Sequence, residues 1–412
     1  MSLVNMKDMV EHAYRHNYAV GAFELVSLEM LRGVMAASER CRAPVILNLD
    51  ESRLDSFEFD LLASAVERAA QRACVPVAIQ LTRGRDLQSV QRAINAGCNG
   101  VMAATSGREL GDNISLTAGV VEMARACGVP VEGALGYVPQ AEAGAGYADP
   151  DDIVYTAVAE ARGYVDRTGV DFLAVSIGTV RGRTRVKPKL NWQRLRQINE
   201  ALGIPLTVYG GSGLSDSQFG RLIANGVAKI SYYTVLADAA YDQLRASTRG
   251  NTKGCYSDVV RAAQEAVEQE AERCLRLSGA AGRAAEVLEQ CRHWVPVEHV
   301  VTCELEGLED GAVEAVMDEG GRVLGTIPGV REVRSGTVER EHERCHCSWL
   351  VRFCHAAVID SYHEHPAYGE FVRRRFRQGR PVAAASNLAT LSTGRGHSRE
   401  SGFVWAPQAV RG

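Results

Sequence analysis

Short apolar runs rich in β-branched residues alternate with longer amphipathic stretches along residues 1–283. The amphipathic stretches include LEMLRGVMAASER and FDLLASAVERAAQRA, whose apolar residues recur at helical spacing. Strands that alternate with helices pair in parallel, and eight such units make a closed (β/α)8 TIM barrel. An open doubly wound sheet is the alternative, but the residues after the first strand, FELVSLEM, lack the glycine-rich turn of that fold. We therefore predict a barrel with strands near 19–24, 44–49, 76–81, 100–104, 129–134, 171–177, 205–209 and 228–232.

The composition changes after the barrel. Residues 284–293 predict a helical linker, and residues 294–378 show strand and helix patterns in the order β-α-β-β-α. That order predicts a small ferredoxin-like α+β domain of ordinary domain size. Residues 379–412 are rich in Gly, Ser, Arg and Ala, which predicts a flexible tail.

Charge and hydropathy exclude several classes of protein. The 46 basic and 50 acidic residues give a net charge of −4, so no global basic field would attract nucleic acid or an anionic membrane. No apolar run reaches the roughly 18 residues of a membrane span, and the N-terminus lacks a secretory h-region. Eleven cysteines without framework spacing favour a reducing cytoplasm.

The strongest local motif is Tyr-Gly-Gly-Ser-Gly, which ends the seventh predicted strand at residues 209–213. Consecutive glycines let backbone N–H groups approach an anion, and the loops after strands 7 and 8 often hold phosphate in such barrels. A plain tight turn is the alternative. The predicted phosphate-binding residues are Gly182, Arg185, Gly210, Gly211, Ser212, Ser231, Tyr233 and Thr234.

Several motifs stand in an order and spacing that resemble those of class II fructose-bisphosphate aldolases. They are VGAF (20–23), LEM (28–30), PVIL (44–47), DNI with Thr117 (112–117), TGVDFLAVSIGT (168–179), KPKL (187–190), GGSG (210–213) and the helical segment ending LSGAAGRA. The resemblance covers residues 1–283. It implies an oligomeric barrel, a dimer or tetramer, that acts on a phosphorylated ketose through a zinc-bound enediolate.

The chain departs from this family at the positions of its zinc ligands and acid/base residues. The departures are Thr82 and Arg83 for an Asp-His pair, Ala134 for Glu, Arg181 and Tyr209 for His, Ala104 for Asp, and Ser231 and Tyr233 for the Asn and Asp of strand 8. The resemblance therefore implies a barrel without its zinc ligands. Residues 1–283 contain only two histidines, His12 and His16, both on the first helix, although zinc sites draw on His, Cys, Asp and Glu. We predict no metal and no other cofactor.

Cationic side chains follow strands 3 and 6 instead: Arg83, Arg85, Arg181, Arg183 and Arg185. Guanidinium keeps its charge and binds carboxylate or phosphate bidentately, so Arg83 and Arg181 are predicted to stabilise an enolate or bind a second acidic group. Ion pairs with nearby carboxylates are the structural alternative. The predicted acid/base residues are Tyr209, Glu24, Asp50 and Glu132, with Lys229 as a weaker candidate for a Schiff base.

The C-terminal segment resembles the stress-responsive dimeric α/β-barrel (Dabb) family in VEHVVTCEL, IPGVREVRSG and Tyr362-His363-Glu364-His365-Pro366. Some members catalyse cyclisations with two histidines, to which His299 and His365 correspond, but Tyr368 replaces a later histidine. Dimerisation is the predicted role. A cluster from His342 to His355 invites a metal interpretation, but its spacing fits no common zinc class and a buried strand explains its cysteines.

Two functions follow from these observations. The first is a metal-independent aldolase-like lyase that acts on a small phosphorylated carbonyl substrate. The second is a non-catalytic sugar-phosphate-binding barrel joined to a dimerising module. The lyase predicts that the new arginine, tyrosine and carboxylate side chains surround an open pocket. The binding barrel predicts a collapsed pocket or arginines whose charges are neutralised in ion pairs.

Overall fold

The computed structural model describes residues 2–54, 56–139, 147–183, 185, 189–249, 254–304, 310–338, 346–376 and 386–389. The chain divides into two compact units, one of residues 1–125 and 129–294, the other of residues 126–128 and those from 295 onward. His342, Cys345 and residues 187–188 of the KPKL motif lie outside the described residues, as does most of the tail predicted for 379–412.

Eight parallel strands of the first unit close into a barrel in sequence order, β1 to β8. They are β1 (Val20–Leu25), β2 (Val45–Asp50), β3 (Val77–Gly84), β4 (Gly100–Ala103), β5 (Val131–Leu135), β6 (Phe172–Val175), β7 (Leu206–Val208) and β8 (Val227–Tyr232). Each lies within a few residues of its predicted range, so the barrel prediction is confirmed. The register pairs Val20 with Lys229 and thereby joins β1 to β8.

Helices separate the strands, as the alternation predicts. The helices of this unit are α1 (Met6–Arg15), α2 (Leu28–Cys41), α3 (Ser56–Arg72), α4 (Leu87–Asn95), α5 (Leu110–Ala126), α6 (Val158–Thr168), α7 (Trp192–Leu202), α8 (Asp216–Ile223), α9 (Thr234–Thr248), α10 (Tyr256–Leu277) and α11 (Ala284–Gln290). Sequence signals fix their ends: Ser27 accepts a hydrogen bond from the Met30 N–H at the start of α2, and Gly203 ends α7 in the left-handed region. Among the described residues, no helix combines the length and apolar composition needed to cross a membrane.

The barrel interior is unusually polar. Glu24, Gln80, Glu132, Thr207 and Lys229 lie on the strands and are almost entirely shielded from solvent. Successive strand residues alternate between the interior and the helical layer, and the register places Thr207 beside Lys229. Buried charges need partners, so this interior must contain a hydrogen-bonded network.

The second unit contains β9 (Val297–Glu304), α12 (Asp310–Leu324), β10 (Val330–Val338), β11 (His346–Phe353), α13 (Val358–Glu364), α14 (Pro366–Phe376) and β12 (Ser386–Ala389). Its strands pair antiparallel in the order β10-β11-β9-β12. The element order up to α14 is the one the sequence predicts. The single helix expected around Tyr362 is divided in two, because His365 adopts the extended backbone that a following proline favours.

Candidate active site at the barrel mouth

The carboxyl ends of the strands and the loops that follow them form the barrel mouth, where chemistry resides in such barrels. Asp50 is the last residue of β2 and is fully buried. Its Oδ1 accepts hydrogen bonds from the Ser52 N–H (2.9 Å) and hydroxyl (2.8 Å). Its Oδ2 contacts the Arg83 guanidinium and lies 3.3 Å from Arg53 Nε. Asp50 is therefore a firmly held carboxylate.

Glu24, on β1, lies beside this pair with looser contacts. Its Oε2 is 3.6 Å from Arg53 Nε and 3.8 Å from Arg83 Nη2. Arg83 has a φ of 58°, a strained conformation for a residue with a side chain. Burial lowers the pKa of the Arg83 guanidinium, Glu24 opposes that shift and Arg181 adds to it. This geometry favours a structural ion pair between Arg83 and Asp50. The Arg83 guanidinium also faces Glu24.

Arg53 is a mouth residue that the sequence analysis missed. Its guanidinium carbon lies 3.9 Å from the ring centroid of Tyr233, which follows β8. The signal was present, because Arg53 comes three residues after the end of β2, as Arg83 comes at the end of β3. Arg53 thus spans the mouth between the ends of β2 and β8.

Arg181 lies over a second tyrosine. Its guanidinium carbon is 4.3 Å from the ring centroid of Tyr209, which follows β7. Its backbone N–H donates to the Pro139 carbonyl (2.8 Å), which anchors the loop after β6. Among the described residues, the buried Nε of Arg181 has no hydrogen-bond partner. Arg181 therefore presents a fixed guanidinium with donor capacity to spare.

Tyr209 points its hydroxyl into the barrel. The hydroxyl donates to Met102 Sδ (3.0 Å) and accepts from Lys229 Nζ (3.4 Å), and the ring packs with Met102 and Ala174. Burial raises the pKa of the Tyr209 hydroxyl well above its usual value, and Arg181 partly opposes this. The geometry favours a supporting ring beneath Arg181 over the predicted acid/base role, which stays a prediction.

Glu132 and Lys229 form a fully buried ion pair inside the barrel, 2.6 Å from Oε2 to Nζ. Glu132 also accepts from Gln80 Nε2 (2.6 Å) at Oε2 and from the Thr207 hydroxyl (2.6 Å) at Oε1. Burial lowers the pKa of the Lys229 amine, and the Glu132 carboxylate opposes that shift. With its amine held by Glu132 and its side chain out of solvent, Lys229 is poorly placed to attack a carbonyl.

The glycine turn after β7 has the tight conformation expected of an anion-binding turn. Gly210 adopts a φ of 84°, and an added Cβ would collide with the Val180 carbonyl oxygen. At Gly211 an added Cβ would lie 2.5 Å from Ile230 Cγ2. Both positions therefore favour glycine.

Ser212 Oγ accepts the Val235 N–H (3.2 Å), so the turn caps the N-terminus of α9, where Tyr233 and Thr234 begin the helix. The Ser231 hydroxyl is buried and lacks a hydrogen-bond partner among the described residues. Ser212 and the first residues of α9 thus lie at one helix N-terminus, which suits an anion. Two other residues predicted to bind phosphate lie on the loop after β6. Gly182 has a φ of 90°, and the Arg185 guanidinium carbon lies 5.0 Å from the ring centroid of Tyr147.

We expect Gly210→Ala to weaken the binding of inorganic phosphate by about tenfold, because displacing the turn costs at least one charge-assisted hydrogen bond. The left-handed φ and the Val180 carbonyl forbid the added methyl group. Calorimetric titration with inorganic phosphate measures the effect. Gly213→Ala is the matched control, since its Cβ would meet nothing within 4 Å. Equal affinity of the Gly210 variant and the native chain for inorganic phosphate would contradict phosphate binding at this turn.

The remaining predicted residues, His299 and His365, lie in the second unit. The His299 ring is buried and packs edge-on against Tyr362 (6.1 Å) and His363 (5.3 Å). His365 Nδ1 accepts the Ala367 N–H (3.2 Å), and burial lowers the pKa of this imidazole. His363, which the sequence analysis quoted in a motif but did not name as a site residue, is the histidine adjacent to His299.

The mouth's donor set does not suit a divalent ion. Across the described ranges, no group of three or more His, Cys, Asp or Glu side chains is arranged to hold one. The carboxylates of Glu24 and Asp50 are flanked by the guanidinium groups of Arg53 and Arg83, which would repel a cation. The loss of the zinc ligands, which the sequence predicts, stays a prediction.

Comparisons with known proteins agree with this barrel. The family model for class II fructose-bisphosphate aldolase matches residues 4–283. YdjI of Escherichia coli (strain K12) is 31% identical over 288 residues, 68% of this chain and 99% of YdjI. A fructose-bisphosphate aldolase of Geobacillus stearothermophilus is 36% identical over 242 residues, 57% of this chain and 82% of that enzyme. The crystal structure of the YdjI aldolase superposes with a TM-score of 0.61 at 29% identity, covering 68% of this chain and 99% of YdjI.

Proposed function

Because this chain belongs to the class II fructose-bisphosphate aldolase family, we propose that its barrel is a lyase that needs no metal ion. It would make or break a carbon–carbon bond next to the carbonyl of a phosphorylated ketose or keto acid. The glycine turn at Gly210 and the buried Ser231 hydroxyl, which lacks a partner among the described residues, support a phosphoryl group on the substrate. The named activity of the Geobacillus relative supports a sugar phosphate.

The observation that carries the proposal is the fixed guanidinium of Arg181 above Tyr209, with its buried Nε lacking a partner among the described residues. When the carbon–carbon bond breaks, its electron pair moves toward the carbonyl and negative charge develops on that oxygen. A preorganised donor in a shielded site stabilises such a charge. Arg181 would serve as this donor.

Glu24 is the better placed of the mouth carboxylates to accept the hydroxyl proton during cleavage. Its contacts with Arg53 and Arg83 are 3.6 and 3.8 Å, whereas Asp50 is held by two hydrogen bonds and two guanidinium groups. A base must keep a lone pair available at hydrogen-bond distance from the substrate. The protonated Glu24 carboxyl then returns this proton to the enolate carbon, which restores the carboxylate and completes the reaction.

A test of metal independence uses the purified full chain. We expect cleavage of a phosphorylated ketose to continue at an unchanged rate after dialysis against EDTA, with metal analysis showing far less than one zinc per barrel. Fructose 1,6-bisphosphate and related ketose phosphates form the screening panel, with aldehyde release as the readout. Activity that disappears with chelator and returns with zinc would contradict the proposal.

The alternative function, a barrel that binds a sugar phosphate without catalysis, is favoured by one observation. Arg83 forms an ion pair with Asp50. A barrel without catalysis predicts such pairing, because it neutralises the charge of the arginine. Stabilisation of the chain by ketose phosphates in a thermal-shift assay, with no turnover of any panel member, would decide for this alternative.

We further propose that the second unit is a Dabb-type, ferredoxin-like module that promotes a homo-oligomer. The antiparallel order β10-β11-β9-β12 supports this fold assignment. Every cysteine whose side chain the structure describes carries a free thiol, which fits a reducing cytoplasm. The mass of the full chain by light scattering, compared with the 44.6 kDa chain mass, tests the oligomer.

A further inference from the structure

Two guanidinium groups at the barrel mouth lie over tyrosine rings in the same way. Arg181 lies 4.3 Å from the ring centroid of Tyr209, and Arg53 lies 3.9 Å from that of Tyr233. The tyrosines follow the neighbouring strands β7 and β8. A guanidinium stacked on an aromatic face is attracted to the ring and loses rotational freedom. Tyr233 therefore holds Arg53 in one orientation.

The carboxylates of the mouth fix one edge of the Arg53 guanidinium. Its Nε lies 3.3 Å from Asp50 Oδ2 and 3.6 Å from Glu24 Oε2. The other edge carries the two Nη groups, which make no hydrogen bond with the described residues. The side chain is 26% exposed, so this edge can be reached from solvent. A planar pair of donors held in place is the geometry that binds a carboxylate or phosphoryl group bidentately.

Charge in the mouth also favours an incoming anion. The cluster has three guanidinium groups, Arg53, Arg83 and Arg181, against the two carboxylates Glu24 and Asp50. Arg83 directs its Nη2 at Asp50, which leaves positive charge in excess over the rest of the mouth. An anion that binds Arg53 would neutralise this excess positive charge and would itself be compensated by the guanidinium.

We propose that Arg53 binds an oxyanion of the substrate, a phosphoryl or carboxylate group, and that Tyr233 is the positioning residue that presents it. Tyr233 then acts through its ring, not as a direct phosphate ligand. The nature of the substrate rests on the proposed function above. The test below measures binding, so it stands even if the barrel proves to be without lyase activity.

The test compares the native full chain with Arg53→Met by calorimetric titration with three probes: inorganic phosphate, phosphoglycolate and fructose 1,6-bisphosphate. We expect the variant to bind at least one probe about tenfold more weakly, because a bidentate charged contact is lost. Loss for all three places Arg53 at the phosphoryl seat itself. Loss for phosphoglycolate alone assigns it to a carboxylate, and loss for the bisphosphate alone assigns it to a second phosphoryl group. Unchanged affinity for every probe, or no binding of any probe by the native chain, overturns the proposal.

Variants of the tyrosine separate positioning from a merely structural role, and they keep the test decisive should Arg53→Met fail to fold. Tyr233→Phe retains the ring and is expected to bind the probes within twofold of the native chain. Tyr233→Leu keeps the arginine charge but is expected to lose the affinity that Arg53→Met loses. The matched control is Arg85→Met, which removes an exposed mouth arginine paired with Glu51. Equal weakening by Arg85→Met, or native affinity in Tyr233→Leu, would contradict the proposal.

Discussion

Arg181→Met is expected to lower the kcat of carbon–carbon bond cleavage by about 10²–10³-fold, the loss typical of removing one oxyanion donor. The methionine retains the length and apolar contact of the side chain but removes its charge and donors. Because Arg181 would act on charge that develops during the reaction, KM for the phosphorylated ketose should change much less than kcat. Steady-state kinetics of aldehyde release measures both constants.

The matched control for this variant is Arg183→Met. Arg183 lies two residues farther along the same loop, but it is exposed and paired with Asp238 (2.6 Å). Its removal should leave kcat near the native value. Equal losses in the two variants, or native kcat in Arg181→Met, would remove Arg181 from the reaction.

Tyr209 distinguishes two roles in the same assay. The sequence predicts an acid/base group, whereas the hydroxyl lies against Met102 and Lys229 and the ring lies under Arg181. A support for Arg181 predicts that Tyr209→Phe keeps the native pH profile of kcat and that Tyr209→Leu lowers kcat. A change in the pH profile of Tyr209→Phe would restore the acid/base role.

Lys229→Met is expected to destabilise the barrel by about 3–5 kcal/mol, because it leaves the Glu132 carboxylate buried without its cation. Gln80 and Thr207 would still donate to Glu132, but neither carries charge. Denaturant unfolding of the full chain, followed by circular dichroism, measures the change in the free energy of unfolding. The double variant Glu132→Gln, Lys229→Met should recover part of the loss, since it removes the uncompensated charge.

An exposed ion pair supplies the control for this second prediction. Asp238→Asn breaks the pair with Arg183, which water already solvates, and should leave the free energy of unfolding almost unchanged. If Lys229→Met proved no more destabilising than Asp238→Asn, the buried pair would not be a structural brace. In that case Lys229 would again be a candidate for chemistry.

Much of the candidate site could be anticipated from strand ends alone. Arg83, Arg181, Glu24 and Asp50 were predicted from their positions after apolar runs, and the structure brings them to one mouth. Arg53 was missed, although it follows β2 as closely as other named residues follow their strands. Its importance comes from Tyr233, which is 180 positions away in the chain and adjacent only when β8 closes against β1.

The amino-acid sequence determined the barrel, its eight strands and the family, because hydrophobic periodicity and colinear motifs are local properties of the chain. Only the tertiary structure decided which charges meet. Lys229 and Glu132 are both strand residues, yet their union as a buried pair, and the inward direction of the Tyr209 hydroxyl, depend on barrel closure and strand register. Electrostatic energy depends on distance through space, and no spacing along the chain specifies it.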